Sequence, residues 1–227
     1  MKNVIGIFGL ICSGKSSFSK LLAKELNALY IDADIIGHEA LNDKIKKEEL
    51  IKEFSSDILD NNGNIDRKKL GKIVFGNSKK LRKLESINYP YIEDKVYKLI
   101  NSTDKDVIIE AALIMRSEIY KMCDSLIYVN SKTSDIIKRM RKSRNISEKE
   151  ARKILKMQID VKNKKFNADI IINNMRDYNH LIIVSKKLGR HYGTKSKSKQ
   201  RDRRRKSASF PKAEYAEICS FFVRRAH

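Results

Sequence analysis

Gly9-Leu10-Ile11-Cys12-Ser13-Gly14-Lys15-Ser16-Ser17 carries the spacing G-x-x-x-x-G-K-S. That spacing suits phosphoryl chemistry. Backbone N–H groups of a loop that opens a helix point at β- and γ-phosphate oxygens, a lysine bridges those phosphates, and the serine after it offers a hydroxyl to Mg2+. Lys15 and Ser16 stand at those two positions. The plain alternative is a strand-to-helix turn with an incidental lysine. A second group is Asp32 and Asp34, in Asp32-Ala33-Asp34. Phosphoryl transfer to an alcohol needs a carboxylate beside the acceptor hydroxyl, and either aspartate could position or deprotonate it. Capping the helix that starts near Ile35 is the competing use, and two aspartates can fill both roles. Glu110 closes the run Val107-Ile108-Ile109. There it could hold Mg2+ or its water, or serve as a helix cap or a solvated carboxylate.

The elements around these residues follow from periodicity. Residues 2–8 form an apolar run that predicts a buried strand, and residues 15–27 place Phe18, Leu21, Leu22 and Leu26 at helical spacing. Strand, loop and helix thus occur in the order the motif requires. Ala28 to Ile31, Asp106 to Ile114, Ser125 to Asn130 and Asp169 to Asn173 are further strand segments. Residues 35–102 read as mostly helical, broken by Asp60 to Asn64 and by Tyr89-Pro90. A charged helical stretch covers about 133–165, and a closing helix is expected over 176–189. Apolar strands alternating with helices predict an α/β protein with a central parallel sheet covered on both faces. The helical stretch between the second and third strands is an insertion, expected over the strands' carboxyl ends, where ligands bind in such sheets.

Other classes are poorly served. A GTPase requires N-K-x-D, and Asn130-Ser131-Lys132-Thr133 misses it. Asp60-Asn61-Asn62-Gly63 has no strand before it, and the acidic spacing from Asp57 to Asn64 does not make a calcium loop. The longest apolar runs are too short to cross a membrane, and the run around Ile109 to Met115 contains Glu110. Cys12, Cys123 and Cys219 are widely spaced and odd in number, which predicts neither a disulfide framework nor a metal site, so a cytoplasmic location is expected. No signal peptide is visible ahead of the first strand-like run.

The formal net charge is +21, unevenly spread, with 14 Lys or Arg against 3 Asp or Glu in residues 186–227. Such a balance favours anionic ligands. From Arg190 onward the chain is polar, basic and free of apolar periodicity, which predicts a disordered tail over 190–227. Lys195 to Lys206 could bind nucleic acid or an anionic membrane non-specifically, although a solvated extension is the favoured reading.

After the phosphate loop come, in order, YIDADIIGHEAL, NGNIDRKKLGKIVF, LRKLESINYPYI, EAALIMRSEIYKMCDSLIYVN and KMQIDVKNKKFNADIIINN. This ordered series resembles the dephospho-CoA kinase family over about residues 2–188. The resemblance implies a P-loop NTPase three-layer sandwich over residues 1–189, with an acceptor-binding helical insertion at about 35–102 and a lid at about 133–160. It implies ATP and dephospho-CoA as partners, with Mg2+ accompanying ATP. It makes Asp34 the carboxylate that activates the acceptor, and it places Asp32, Asp66 and Arg67 on the acceptor side. Arg139 matches the lid arginine that could stabilise charge on the transferring phosphoryl group. Another P-loop nucleoside or nucleotide kinase is the near alternative, and a nucleotide-gated RNA-binding protein the distant one. Four positions depart from the family pattern. Leu10 and Cys12 replace loop glycines and are expected at tolerant positions, Arg116 stands where the family has Glu, and Tyr89 stands where it has His before Pro90.

Overall fold

A computed structural model describes residues 2–74, 77–175 and 178–202, with side chains described as far as Gly193. Strands β1 (Val4–Phe8), β2 (Leu29–Asp32), β3 (Val107–Glu110), β4 (Ser125–Asn130) and β5 (Ile170–Asn173) form one sheet in the order β2-β3-β1-β4-β5. β1 pairs in parallel with β3 and β4, and β4 pairs in parallel with β5. The residues of β1, β3 and β4 are almost all buried, as apolar strands inside a covered parallel sheet should be.

Helices α1 (Lys15–Leu26) and α9 (Tyr178–Asp202) pack together on one face. There Phe18, Leu22, Leu181, Val184 and Leu188 close over Ile5, Ile7, Ile127, Val129 and Ile172. Behind β1, a Cβ at Gly6 would lie 2.8 Å from Cys123 Sγ and from a Leu126 methyl, and 3.0 Å from an Ile114 methyl. Ile114 in the turn Ile114–Arg116 and Cys123 after the turn Glu118–Met122 thus pack close behind the strand at Gly6, and a larger residue there would have to displace them. The charged stretch near the C-terminal half is three helices: α6 (Thr133–Arg144), α7 (Glu148–Met157) and α8 (Ile159–Asn163). Asn145, at φ 50°, separates the first two, and a Ser147–Glu150 capping box starts α7.

The chain divides into two compact units, Asp32–Leu99 being one and the remainder the other. Within 32–99 lie α2 (Ala33–Ala40), α3 (Lys44–Phe54), α4 (Arg67–Val74) and most of α5 (Ser78–Asn101). Their core gathers Leu41, Leu50, Phe54, Ile58, Leu70, Val74 and Ile87. Asp43, Asp66 and Asn77 each accept amides of the helix that follows.

Two expectations change. Tyr89-Pro90 does not break the chain, because α5 runs through Pro90. An interior proline costs about 3 kcal/mol of helix propensity, and burial of Ile87, Ile92 and Val96 along the same helix offsets that cost. The closing helix also passes residue 189, and the described backbone stays helical to Asp202. Adding a turn to an existing helix avoids the nucleation cost, and Lys, Arg and Gln are good helix formers. The rest of the expected tail, 203–227, lies outside the described residues.

Candidate active site

The loop between β1 and α1 is shaped by its glycines. Gly9 has φ 155° and Gly14 φ 95°. A Cβ at Gly9 would lie 2.6 Å from the Val129 carbonyl oxygen, and one at Gly14 would lie 2.2 Å from Asn174 Nδ2. Gly14 is the N-cap of α1 and provides no side-chain cap. The first amides of α1 have no intrahelical acceptor, so this helix end offers N–H donors and a positive dipole to an anion. Cys12 is not at a tolerant position: its φ of 56° is the left-handed conformation that favours glycine. A glycine there would adopt it without strain.

Lys15, Ser16 and Glu110 come together beside the loop. The register pairs Ile7 of β1 with Glu110 of β3, which sets the carboxylate next to the strand end from which the loop departs. Glu110 is only 2% exposed. Ser16 Oγ donates to its Oε1, and Tyr30 OH donates to its Oε2. Lys15 Nζ stands 3.7 Å from Oε1. A hydroxyl oxygen beside a carboxylate is the hard donor set that Mg2+ prefers, so Ser16 and Glu110 fit such an ion. The described residues hold no cluster of three or more His, Cys, Asp or Glu side chains able to hold a metal by themselves.

Arg139 reaches the loop from α6. Its Nη1 donates to Cys12 O at 3.2 Å, Ser13 O at 3.4 Å and Ser131 Oγ at 3.1 Å. Asn174 Nδ2 also donates to Ser13 O, at 2.8 Å. Gln158 Oε1 accepts the Ile11 N–H at 2.9 Å. The Cys12 and Ser13 carbonyls and the Ile11 amide are thus held by side chains from three other segments. Sequence reasoning missed Tyr30, Asn174 and the contact of Gln158. Strand alternation, which puts Tyr30 and Asp32 on one face of β2, was the available signal for Tyr30.

The remaining site residues lie in unit 32–99. Asp32 Oδ1 accepts the amides of Asp34 and Ile35, both at 3.1 Å, so Asp32 caps α2. Asp34 follows in the exposed first turn of that helix. Asp66 caps α4 through the amides of Lys68 and Lys69, and these bonds hold its carboxyl below the usual range. Arg67 Nη2 meets His38 Nε2 at 2.7 Å. Burial first, and the Arg67 charge second, lower the pKa of His38. A neutral His38 with Nε2 unprotonated accepts from Arg67, and a protonated one cannot.

The dephospho-CoA kinase family model matches residues 3–179. A dephospho-CoA kinase of Fusobacterium nucleatum is 40% identical over 173 residues, covering 75% of this chain and 89% of that protein. One from Borreliella burgdorferi is 38% identical over 183 residues, covering 78% and 88%. Among solved structures, a dephospho-CoA kinase from Campylobacter jejuni superposes with a TM-score of 0.54 at 29% identity, covering 84% of this chain and 97% of that one. No helix among the described residues is long and apolar enough to cross a membrane.

Proposed function

Because the chain belongs to the dephospho-CoA kinase family, we propose that it transfers the γ-phosphoryl group of ATP to the ribose 3′-hydroxyl of dephospho-CoA, the last step of coenzyme A synthesis. The observation that carries this reading is the uncapped start of α1 beside the Lys15–Ser16–Glu110 cluster. The loop amides and Lys15 bind the β- and γ-phosphates. Ser16 and Glu110 would hold Mg2+, which would supply charge neutralisation for the transferring phosphates.

Asp34 takes the proton of the 3′-hydroxyl as its oxygen forms the new bond to the γ-phosphorus. The bond from that phosphorus to the β,γ-bridging oxygen breaks, and ADP leaves with the electron pair. This role is supported by family membership and by the Asp32-Ala33-Asp34 motif, in which Asp32 Oδ1 already serves the helix amides. Arg67 and Asp66 serve the acceptor side, with His38 holding the Arg67 guanidinium. Arg139 braces the loop through Cys12 O and Ser13 O, and from the same base it balances charge on the phosphoryl group.

The test is coenzyme A formation from ATP, Mg2+ and dephospho-CoA. Wild-type protein should form it and Lys15→Ala should not. Absence of product with wild type, or faster turnover of uridine, cytidylate or adenylate in the same assay, would overturn the assignment.

A further inference from the structure

Gln158 lies outside the phosphate-loop motif, yet it holds a loop amide. It occupies the single-residue break between α7 and α8, at φ −103° and ψ 20°. From there its side-chain carbonyl accepts the Ile11 N–H at 2.9 Å. Ile11 immediately precedes Cys12, whose left-handed backbone is strained for a residue with a side chain. Such strain persists only where neighbours hold the backbone on both sides. Arg139 holds the carbonyl side of Cys12, and Gln158 holds the amide before it.

The break that presents Gln158 is itself fastened. Arg116, at the end of the turn after β3, donates through Nε to Asp160 Oδ2 and through Nη2 to Asp160 Oδ1, both at 2.7 Å. The same Nη2 donates to Met157 O at 3.3 Å. Lys164 Nζ adds a bond to Met115 O at 2.7 Å. The residues flanking Gln158 are therefore tied to the segment that follows Glu110. The Arg116 fork is planar and fixes direction as well as distance, which a lysine would not do. Its side chain is 18% exposed and that of Asp160 37%, so the pair is partly shielded from water.

We infer that Arg116 is a positioning residue for phosphoryl transfer: it sets the α7–α8 break so that Gln158 fastens Ile11 and keeps the phosphate loop in its working shape. The hydrogen bond from Arg116 also holds the Asp160 carboxyl below its usual range, as a persistent pair requires. The inference rests on the kinase reading above for its rate effect alone.

The test combines amide exchange and kinetics on the full chain. Arg116→Gln and Gln158→Leu should each speed exchange of the Ile11 amide about tenfold, the weight of one lost hydrogen bond. The Ile127 amide in the sheet should stay at its wild-type rate, and the double variant should go no further than either single one. Turnover should fall about tenfold in each, again without adding, while KM for dephospho-CoA stays within about twofold. Arg116→Lys, which keeps the charge and loses the fork, gives the same reading if Arg116→Gln does not fold. Wild-type exchange at Ile11, a parallel rise at Ile127, or fully additive losses of turnover would overturn the inference. If wild type makes no coenzyme A, the function assignment fails, and the exchange measurement still decides the role of Arg116.

Discussion

Replacing Glu110 by Gln should weaken the fold and the site together. The carboxylate is 2% exposed and accepts hydroxyl protons on both oxygens, from Ser16 and Tyr30, with Lys15 Nζ 3.7 Å away. An amide of the same shape keeps one acceptor oxygen. Its NH2 end then faces a hydroxyl that had been donating, and the ammonium of Lys15, itself largely buried, loses its counter-charge. A hydrogen bond to a charged acceptor is worth about 1.5–3 kcal/mol, and breaking a buried pair on one side costs about 3–5 kcal/mol. These overlap, so the expected loss is about 4 kcal/mol, which for a domain of this size lowers Tm by roughly 8–16 °C. Thermal unfolding of wild type and Glu110→Gln without ligands measures it. A Tm within about 2 °C of wild type, or above it, would refute the reasoning, because Ser16 and Lys15 would then not depend on Glu110 for their placement.

Three further outcomes follow from the same geometry. The unfolded chain binds more protons at His38 than the folded one between the lowered value and 6.5, so that contribution to stability is complete above pH 6.5 and lost as pH falls through the folded value. Thermal unfolding from pH 5 to 7 should show a slope that His38→Gln reduces, and an unchanged slope would contradict the Arg67 contact. Pro90→Ala should raise Tm, since it restores a helical N–H inside α5 and removes a cost of up to about 3 kcal/mol; a lower Tm would contradict the account of that helix. Burial pushes the Cys123 thiol up to about 12, leaving about one thiolate in 10⁴ at pH 8. Mass mapping after alkylation of the native protein at that pH should find Cys123 unmodified while Cys12 reacts, and early labelling of Cys123 would contradict its burial.

Much of this molecule was legible in local sequence. β1, the loop and α1 appear where spacing and periodicity coincide, and the turn at Asp60–Asn64 follows from Asp60 Oδ1 accepting two nearby amides. Sequence alone leaves the roles of the two aspartates open, and the cap geometry assigns Asp32 Oδ1 to the helix amides. The capping box at Ser147 is equally local, with Glu150 three residues on. What escaped depends on distant partners. Arg116 meets Asp160 across 44 residues and Gln158 meets Ile11 across 147, so no periodicity reports either. Pro90 is a local breaker overridden by packing, and Cys12 needed its backbone angle to be recognised as a strained position.

In the proposed transfer, Asp34 removes the proton of the acceptor hydroxyl. The direct measurement is single-turnover coenzyme A formation by Asp34→Asn, with ATP affinity measured alongside. The predicted result is a rate lower by roughly 10²–10⁴ with ATP binding unchanged, since the proposed mechanism assigns Asp34 to the acceptor. A rate within a few fold of wild type would contradict it, and the proton would then have to leave by another group.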